Sequence, residues 1–245
     1  MTDIAVIADT HGNSWALKAV LADIARRGIS RIVNLGDTAD ADMDPAGAID
    51  LMIRHNVESI AGNYETFRPG QISSQQEAWL RQLPKTLDLG EIFCCHGTPA
   101  SDTQELIEEI TFDRVELAPD AVIASRLGGL RHPVILCAHK HVPRMVMLPS
   151  GQVVVNPGSV GLPAYWNDEP VLHAVQCGSP HARYAILTGG ADGWSAAHVA
   201  VVYPWAEAAE AARRSGRDDR AAFIETGRAA IPEARRHDTA GRSGD

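Results

Sequence analysis

Positive charge is scarce in this chain: 22 Lys and Arg stand against 31 Asp and Glu, a formal net charge of -9 over 245 residues. That balance opposes a broad electrostatic track for nucleic acid and opposes docking on an acidic membrane, while leaving room for a local basic site. Long apolar runs are missing too. The run Ile4-Ala5-Val6-Ile7-Ala8 has no basic segment before it and is too short for a signal-peptide core or a membrane span, so a cytoplasmic protein without a membrane partner is expected. Cys94, Cys95, Cys137 and Cys177 form no CxxC pair, and three of them lie in strand-like runs, which points to reduced, buried thiols. There is no internal repeat.

What is present is an alternation. Ile4 to Ala8 reads as a strand, and Leu17, Val20, Leu21 and Ile24 after it have the i, i+3, i+4, i+7 spacing of a helix with one buried face. Arg31 to Leu35 is a second strand, Asp44-Pro45 an N-cap with proline at the first helical position, and Ala46 to Arg54 the next helix. Strands follow at 57–61, 91–95 and 134–138, with helices predicted at 74–83, about 103–109 and 113–126. This is an α/β core, whose ligands bind beyond the carboxyl ends of its strands. After His141 the pattern turns to short runs at 144–148, 152–155, 183–188 and 196–202 separated by Pro/Gly/Asn turns, which predicts antiparallel strands and a second sheet packed on the first. Helix is predicted from Pro204 to about Ser215 and again at 218–230, and His237 to Asp245 is expected to fray.

Five polar clusters each follow directly on a strand-like run: Asp9-Thr10-His11, Gly36-Asp37, Gly62-Asn63-Tyr64-Glu65, His96-Gly97 and His139-Lys140-His141. In an extended exit from a strand, Asp9 and His11 can face one ion together. His139 and His141 share that spacing, so Lys140 between them should point elsewhere. Asp37 has two oxygens and is the natural bridge between two cations, Asn63 offers a carbonyl oxygen, and His96 a further imidazole. Mixed N and O donors favour Mn, Fe, Co, Ni or Zn over Ca or Mg. Two divalent ions outweigh the charge of Asp9 and Asp37, which leaves a positive centre suited to a phosphate ester; such ions supply a deprotonated water and clamp the oxygens of an in-line displacement. A single buried histidine is more often structural, and an Asp-x-His pair arises by chance. The set of donors at successive strand ends carries the reading. His55, His173 and His198 lack that context and are assigned no catalytic role.

Taken with Ala138-His139-Lys140-His141 and Asn156-Pro157-Gly158-Ser159-Val160-Gly161, these clusters resemble the calcineurin-like metallophosphoesterase superfamily over about residues 3–202, and within it the small bacterial and archaeal phosphodiesterase-like branch. The resemblance implies an α/β fold, a four-layer α/β/β/α sandwich with two packed mixed β-sheets, over residues 1–203, followed by a helical C-terminal extension at 204–245. It implies that Asp9, His11, Asp37 and His141 hold one ion and Asp37, Asn63, His96 and His139 the other. Asp37, Asn63, Tyr64 and His96 are then the expected catalytic residues. The implied activity is that of a phosphodiesterase acting on a small phosphodiester by direct attack of a hydroxide held between two divalent ions, Mn foremost, with Fe, Ni, Co and Zn as alternatives. Serine/threonine protein phosphatase and dinucleoside polyphosphate hydrolase are competing activities, and a non-catalytic scaffold of the same fold is a competing class.

One position departs from the family pattern. Tyr64 stands where the superfamily usually has a histidine that stabilises the phosphoryl group or protonates the leaving oxygen. A phenol with an unperturbed pKa near 10 donates a hydrogen bond but exchanges its proton less readily near pH 7 than imidazole does, which favours substrates with better leaving groups. Asn156 and Ser159 are expected either to support the ligands or contact phosphate, or simply to cap a structural Pro/Gly turn. Tyr165 and Trp166 either stack on a planar ester group or pack the rim. Arg126, Arg131, Lys140 and Arg144 are expected to be solvated.

Overall fold

The computed structural model describes residues 2–112, 114–191, 193–233 and 235. In chain order the elements are β1 (Thr2–Ile7), α1 (Ser14–Arg26), β2 (Arg31–Asn34), α2 (Pro45–Arg54), β3 (Glu58–Ser59), α3 (Ser74–Gln82), β4 (Thr86–Asp88), β5 (Ile92–Cys95), β6 (Glu108–Thr111) and β7 (Arg114–Leu117). They continue with α4 (Asp120–Arg126), β8 (Val134–Leu136), β9 (Arg144–Met147), β10 (Val153–Asn156), β11 (Ala164–Asn167), β12 (His173–Gln176), β13 (Ala182–Gly190), β14 (Gly193–Val201), α5 (Trp205–Arg214) and α6 (Asp218–Thr226). Two five-stranded mixed sheets, ordered β14-β13-β1-β2-β3 and β4-β5-β8-β10-β9, are flanked by helices in the expected sandwich.

Strand alternation decides what packs where. Ile4 and Val6 of β1, with Ala8 beyond its end, share the core between the sheets with Cys94, Leu136 and Val155. Ala5 and Ile7 point the other way and pack with Leu17, Val20 and Ile24 of α1. The second sheet repeats the device: Cys94 faces inward, whereas Cys95 joins Ile123 and Leu127 on the outer face. Each fully buried Val, Ile or Leu contributes roughly 1.5–3 kcal/mol. The four cysteines are free, three of them buried, as their apolar runs predicted.

Two features differ from the sequence expectation. The strands after His141 do not make a second sheet by themselves. Strands β9 and β10 join β5 and β8, whereas the long hairpin β13/β14 returns to the first sheet and pairs antiparallel with β1. Strand β1 has two hydrogen-bonding edges, and with β2 parallel on one of them the other is left for β13. The helices expected at 103–109 and 113–126 are instead the hairpin β6/β7 followed by the short α4. Pro119 disfavours helical backbone in the residue before it, so helix starts only at Asp120, and Ile110, Thr111 and Val115 carry β-branched side chains suited to strands.

The C-terminal helices pack closely. Ala208, Ala209 and Ala212 of α5 are buried with α1 in the outer core of the first sheet, and Phe223 of α6 packs with Leu162 and Ala164 at β11. Among the described residues no helix is long and apolar enough to cross a membrane. The expected fraying of His237 to Asp245 lies outside the described residues.

Candidate metal centre

All five clusters arrive at one place. Asp9 and His11 follow β1, Asp37 follows β2 and Asn63 follows β3 in the first sheet, while His96 follows β5 and His139 and His141 follow β8 in the second. The site therefore straddles the seam between the sheets at their carboxyl ends.

The donor atoms converge at short range. His11 Nε2 lies 3.2 Å from His141 Nε2 and 3.6 Å from Asp37 Oδ2, His141 Nε2 lies 3.5 Å from Asp9 Oδ1, and His96 Nε2 lies 3.5 Å from Asp37 Oδ2. Asn63 Oδ1 faces both His96 Nε2 at 2.9 Å and His139 Nδ1 at 2.8 Å. Two ligand atoms about 2.1 Å from a common ion at tetrahedral or octahedral angles are about 3.0–3.4 Å apart, so these spacings suit shared cations. Asp9, His11 and His141 form one candidate group, and Asp9, Asp37 and His96 a second. Both carboxylate oxygens of Asp9 are buried with no hydrogen-bond partner among the described residues, a costly arrangement that a cation relieves.

Hydrogen bonds behind the rings fix which nitrogen is presented. His96 Nδ1 donates to the Leu35 carbonyl at 2.7 Å and His141 Nδ1 to the Leu162 carbonyl at 2.8 Å. A carbonyl only accepts, so when either ring is neutral its Nε2 carries the lone pair and is the nitrogen available to a cation. The backbone is committed as well. Asp9, His11, Asp37, His139 and His141 all have positive φ, between 47° and 70°, a region that non-glycine residues seldom adopt and that concentrates at functional sites. Close approach of two strand ends needs Gly36 and Gly62: a Cβ on Gly36 would lie 2.5 Å from the Gly62 nitrogen, and one on Gly62 would lie 2.0 Å from Asp37 Oδ1.

Electrostatics follow from burial. With no partner, the Asp9 carboxyl is pushed up to about 7 by burial. Burial works in the same direction on Asp37, yet His96, His11 and the Tyr64 backbone N–H together outweigh it and hold that carboxyl well below its usual range. Burial lowers His139 to about 4, with His96 and Lys140 adding to the effect, so its ring is a neutral donor of electrons near pH 7.

Two carboxylates that sequence reasoning passed over support this arrangement. Glu65 accepts from the backbone N–H of Thr38 and Ala39 at 3.0 and 2.8 Å, bracing the turn that carries Asp37. Asp40, fully buried, faces His11 Nδ1 at 3.5 Å and pairs with Arg220 of α6. Burial pushes Asp40 up, but His11 and Arg220 prevail and hold it at about 2. Asn156 and Ser159 are also buried: Asn156 donates to the Ala138 carbonyl at 3.0 Å, and Ser159 donates to the Asp9 carbonyl at 2.8 Å. They tie their turn to the strand ends and do not line the cavity above the donors. Of the expected solvated cations only Arg131 is exposed. Lys140 is buried against Glu105 at 2.8 Å, Arg144 bonds Glu108, and Arg126 donates to the carbonyls of Leu106 and Glu108, because a cation this close to a buried carboxylate or free carbonyl gains more there than it loses in hydration.

A cavity of about 420 Å³ opens over the donors. Tyr64, Tyr165, Trp166 and Phe223 contribute its walls, with Arg217 and Arg220 reaching in from α6. Tyr64 is 37% exposed, and its backbone N–H donates to Asp37 Oδ1 at 2.7 Å. Its ring lies 5.5 Å from that of His11, and its hydroxyl has no hydrogen-bond partner among the described residues. Participation of α6 had no sequence signal: its apolar positions show no clear face, and only tertiary placement brings it here.

Residues 2–175 match the family model of the calcineurin-like phosphoesterase superfamily domain. The chain belongs to this superfamily. Its clustered Asp and His residues form candidate dinuclear metal sites typical of metal-dependent phosphoesterases, and phosphoesterase activity with a metal requirement is the general property of the fold. A metallophosphoesterase from Sphaerobacter thermophilus has a similar fold, with a TM-score of 0.69, 20% identity and coverage of 93% of this chain and 99% of that one. A hypothetical protein from Pyrococcus horikoshii superposes with a TM-score of 0.67 at 20% identity, covering 94% of this chain and 100% of that one. An uncharacterized protein of Methanocaldococcus jannaschii is 44% identical over 62 residues, which are 25% of this chain and 26% of that relative, so the match spans about a quarter of the relative's length.

Proposed function

We propose that this superfamily member is a phosphodiesterase acting on a small phosphodiester, with Asp9, His11, Asp37 and His141 holding one divalent ion, Asp37, Asn63, His96 and His139 the other, and Asp37 bridging. The observation that carries this reading is that the seven candidate donors form one run of short contacts, His139 and His96 beside Asn63 Oδ1, His96 beside Asp37 Oδ2, Asp37 beside His11 Nε2, and His11 and Asp9 beside His141 Nε2. Bound there, two ions supply Lewis acidity toward phosphate oxygens and lower the pKa of water. Asn63 and His139 line the cavity over the donors and also border a second opening of about 660 Å³. Tyr64 offers its hydroxyl as a hydrogen-bond donor to a phosphoryl or leaving oxygen. Manganese is the proposed metal.

The cavity walls favour an ester group without further charge. Arg217, Arg220, Arg235 and Lys140 already pair with Asp42 and Asp219, Asp40, Asp168 and Glu105, so a second phosphate finds no uncommitted cation among them. Aromatic walls at Tyr165, Trp166 and Phe223 suit an uncharged planar or apolar substituent. This weighs against a dinucleoside polyphosphate. Retention of all seven donors weighs against a scaffold.

The test is a kinetic panel with Mn²⁺: an aryl phosphodiester, the matching monoester, a dinucleoside polyphosphate and a phosphopeptide, with metal content measured on the same samples. Highest kcat/KM on the diester is expected. Strong preference for the phosphopeptide would move the activity to a protein phosphatase, and negligible divalent-metal binding by folded protein would remove the enzymatic reading altogether.

A further inference from the structure

Helix α6 reaches the site through the side chains at its start. Arg217, its N-cap, bonds Asp42 at 2.5 Å, and Arg220 bonds Asp40. Residues three apart share one face of a helix, and they meet Asp40 and Asp42, two apart on the loop that leaves Asp37. These contacts are unequal. Arg217 is partly exposed and divides its donors between Asp42 and Asp219, whereas Arg220 is 6% exposed and engages Asp40, itself fully buried.

Asp40 is the link to the centre. Its Oδ1 accepts the backbone N–H of Asp42 at 2.9 Å, and its Oδ2 meets Arg220 Nη1 on one side and His11 Nδ1 at 3.5 Å on the other. His11 Nδ1 makes no hydrogen bond to any described residue, and the Asp40 carboxylate at 3.5 Å is the acidic group facing it. A carboxylate behind a ligating imidazole fixes the ring's tautomer and orientation and leaves Nε2 to face the ion, and loss of such a partner typically weakens metal affinity. Orientation of Asp40 depends in turn on Arg220, the one Lys or Arg paired with it among the described residues.

We propose that Arg220 is a positioning residue for the ion held by Asp9, His11, Asp37 and His141, acting through Asp40 on His11, so that α6 is a working part of the metal site. This rests on the two-ion reading above. Helix α6 lies outside the residues matched by the family model, 2–175. Residues 1–203 are about 83% of the chain, so the 93% and 94% coverage by the two solved structures must take in part of the C-terminal helices.

Titration of full-length, chelator-stripped protein with Mn²⁺ alone tests the proposal, followed by calorimetry and by the electron-spin coupling of the bound pair. In Arg220→Met, one binding step should weaken about 10–100-fold while the other changes much less, and the spin-coupled pair should be lost at Mn²⁺ concentrations that fill both sites in the wild type. Arg220→Lys should restore part of the loss. Because Arg220 acts through Asp40, the double variant Arg220→Met/Asp40→Asn should bind no more weakly than Asp40→Asn alone. Unchanged affinities overturn the proposal. Equal weakening of both steps, tracking a lower thermal midpoint in chelator, also overturns it by showing a merely structural role. Should Arg220→Met fail to fold, Arg220→Lys decides: selective weakening of one step supports positioning, and weakening of both or neither refutes it. A wild type that binds no Mn²⁺ sinks the functional reading itself, whereas a two-ion wild type with an unaffected Arg220→Met sinks only this inference.

Discussion

The Nε2 atoms of His11 and His141 face each other at 3.2 Å from strand ends in different sheets. His141 carries its proton on Nδ1, against the Leu162 carbonyl, so its Nε2 brings a lone pair to that contact. A shared cation satisfies both rings and also the unpartnered oxygens of Asp9. Ions that bind only the folded state stabilise it by about 2.7 kcal/mol at a concentration one hundred times Kd. For a chain of this size, Mn²⁺ at that excess should therefore raise Tm roughly 5–10 °C above the value in chelator. A midpoint indifferent to Mn²⁺ would contradict a metal centre at this seam.

Asp37 is the proposed bridge, and Asp37→Asn is the sharpest conservative test of it. The substitution keeps nearly the same volume but removes the charge that offsets two cations and replaces one oxygen with an amide nitrogen. Occupancy should fall from two ions to one or none, and turnover should drop by roughly 100-fold or more. Metal per chain, measured beside activity, checks this. A two-metal, fully active variant rules out bridging.

Gly62 tests the approach of β2 and β3. In Gly62→Ala the new methyl would lie 2.0 Å from Asp37 Oδ1 and 2.4 Å from the Asp37 backbone nitrogen, so the turn has to move. The expected cost is about 1–3 kcal/mol of stability together with lost metal affinity. Wild-type Tm and metal binding in this variant would mean that the turn yields without disturbing Asp37.

The legible part of this molecule was the part written in short-range pattern. Strand β1, the face of α1 and the clusters at strand ends could be read because alternation and i, i+3, i+4 spacing are local, and because polar residues after an apolar strand lie where α/β folds place ligands. Sheet membership of β13 was not legible, since a strand's pattern does not say which free edge it joins. Lys140 shows a further limit. Its spacing predicted a side chain turned away from the flanking histidines, yet it lines the same cavity as they do, and its burial against Glu105 depends on a loop 35 residues earlier in the chain. Arg220 was invisible for the same reason: its partner Asp40 lies 180 residues away.

Tyr64 separates chemistry from packing. Its hydroxyl makes no hydrogen bond to a described residue while the ring borders the cavity, so Tyr64→Phe removes a donor and little else. Turnover on an aryl diester should fall roughly 10-fold with metal content and Tm nearly unchanged. Equal turnover by the two proteins under chemistry-limited conditions would reduce Tyr64 to a wall residue.

Glu108 gives a pH prediction away from the metal donors. Its carboxyl, 1% exposed, is raised from 4.5 to about 7 chiefly by burial, against the opposing pull of Arg144 and Lys140. Between those two values the folded state holds more protons than the unfolded chain, so this group makes stability fall as pH rises through the window, and above it the penalty is complete. Its size is on the order of 1–3 kcal/mol. Glu108→Gln removes the titration, while the partly exposed Arg144 can turn to water. Relative to wild type, the variant should therefore gain stability between pH 5 and pH 8.5, with the difference in Tm moving in its favour by several degrees. Groups common to both proteins cancel in that comparison. A difference that stays flat, or that moves toward the wild type with rising pH, would show that Glu108 is ionised and well paired throughout.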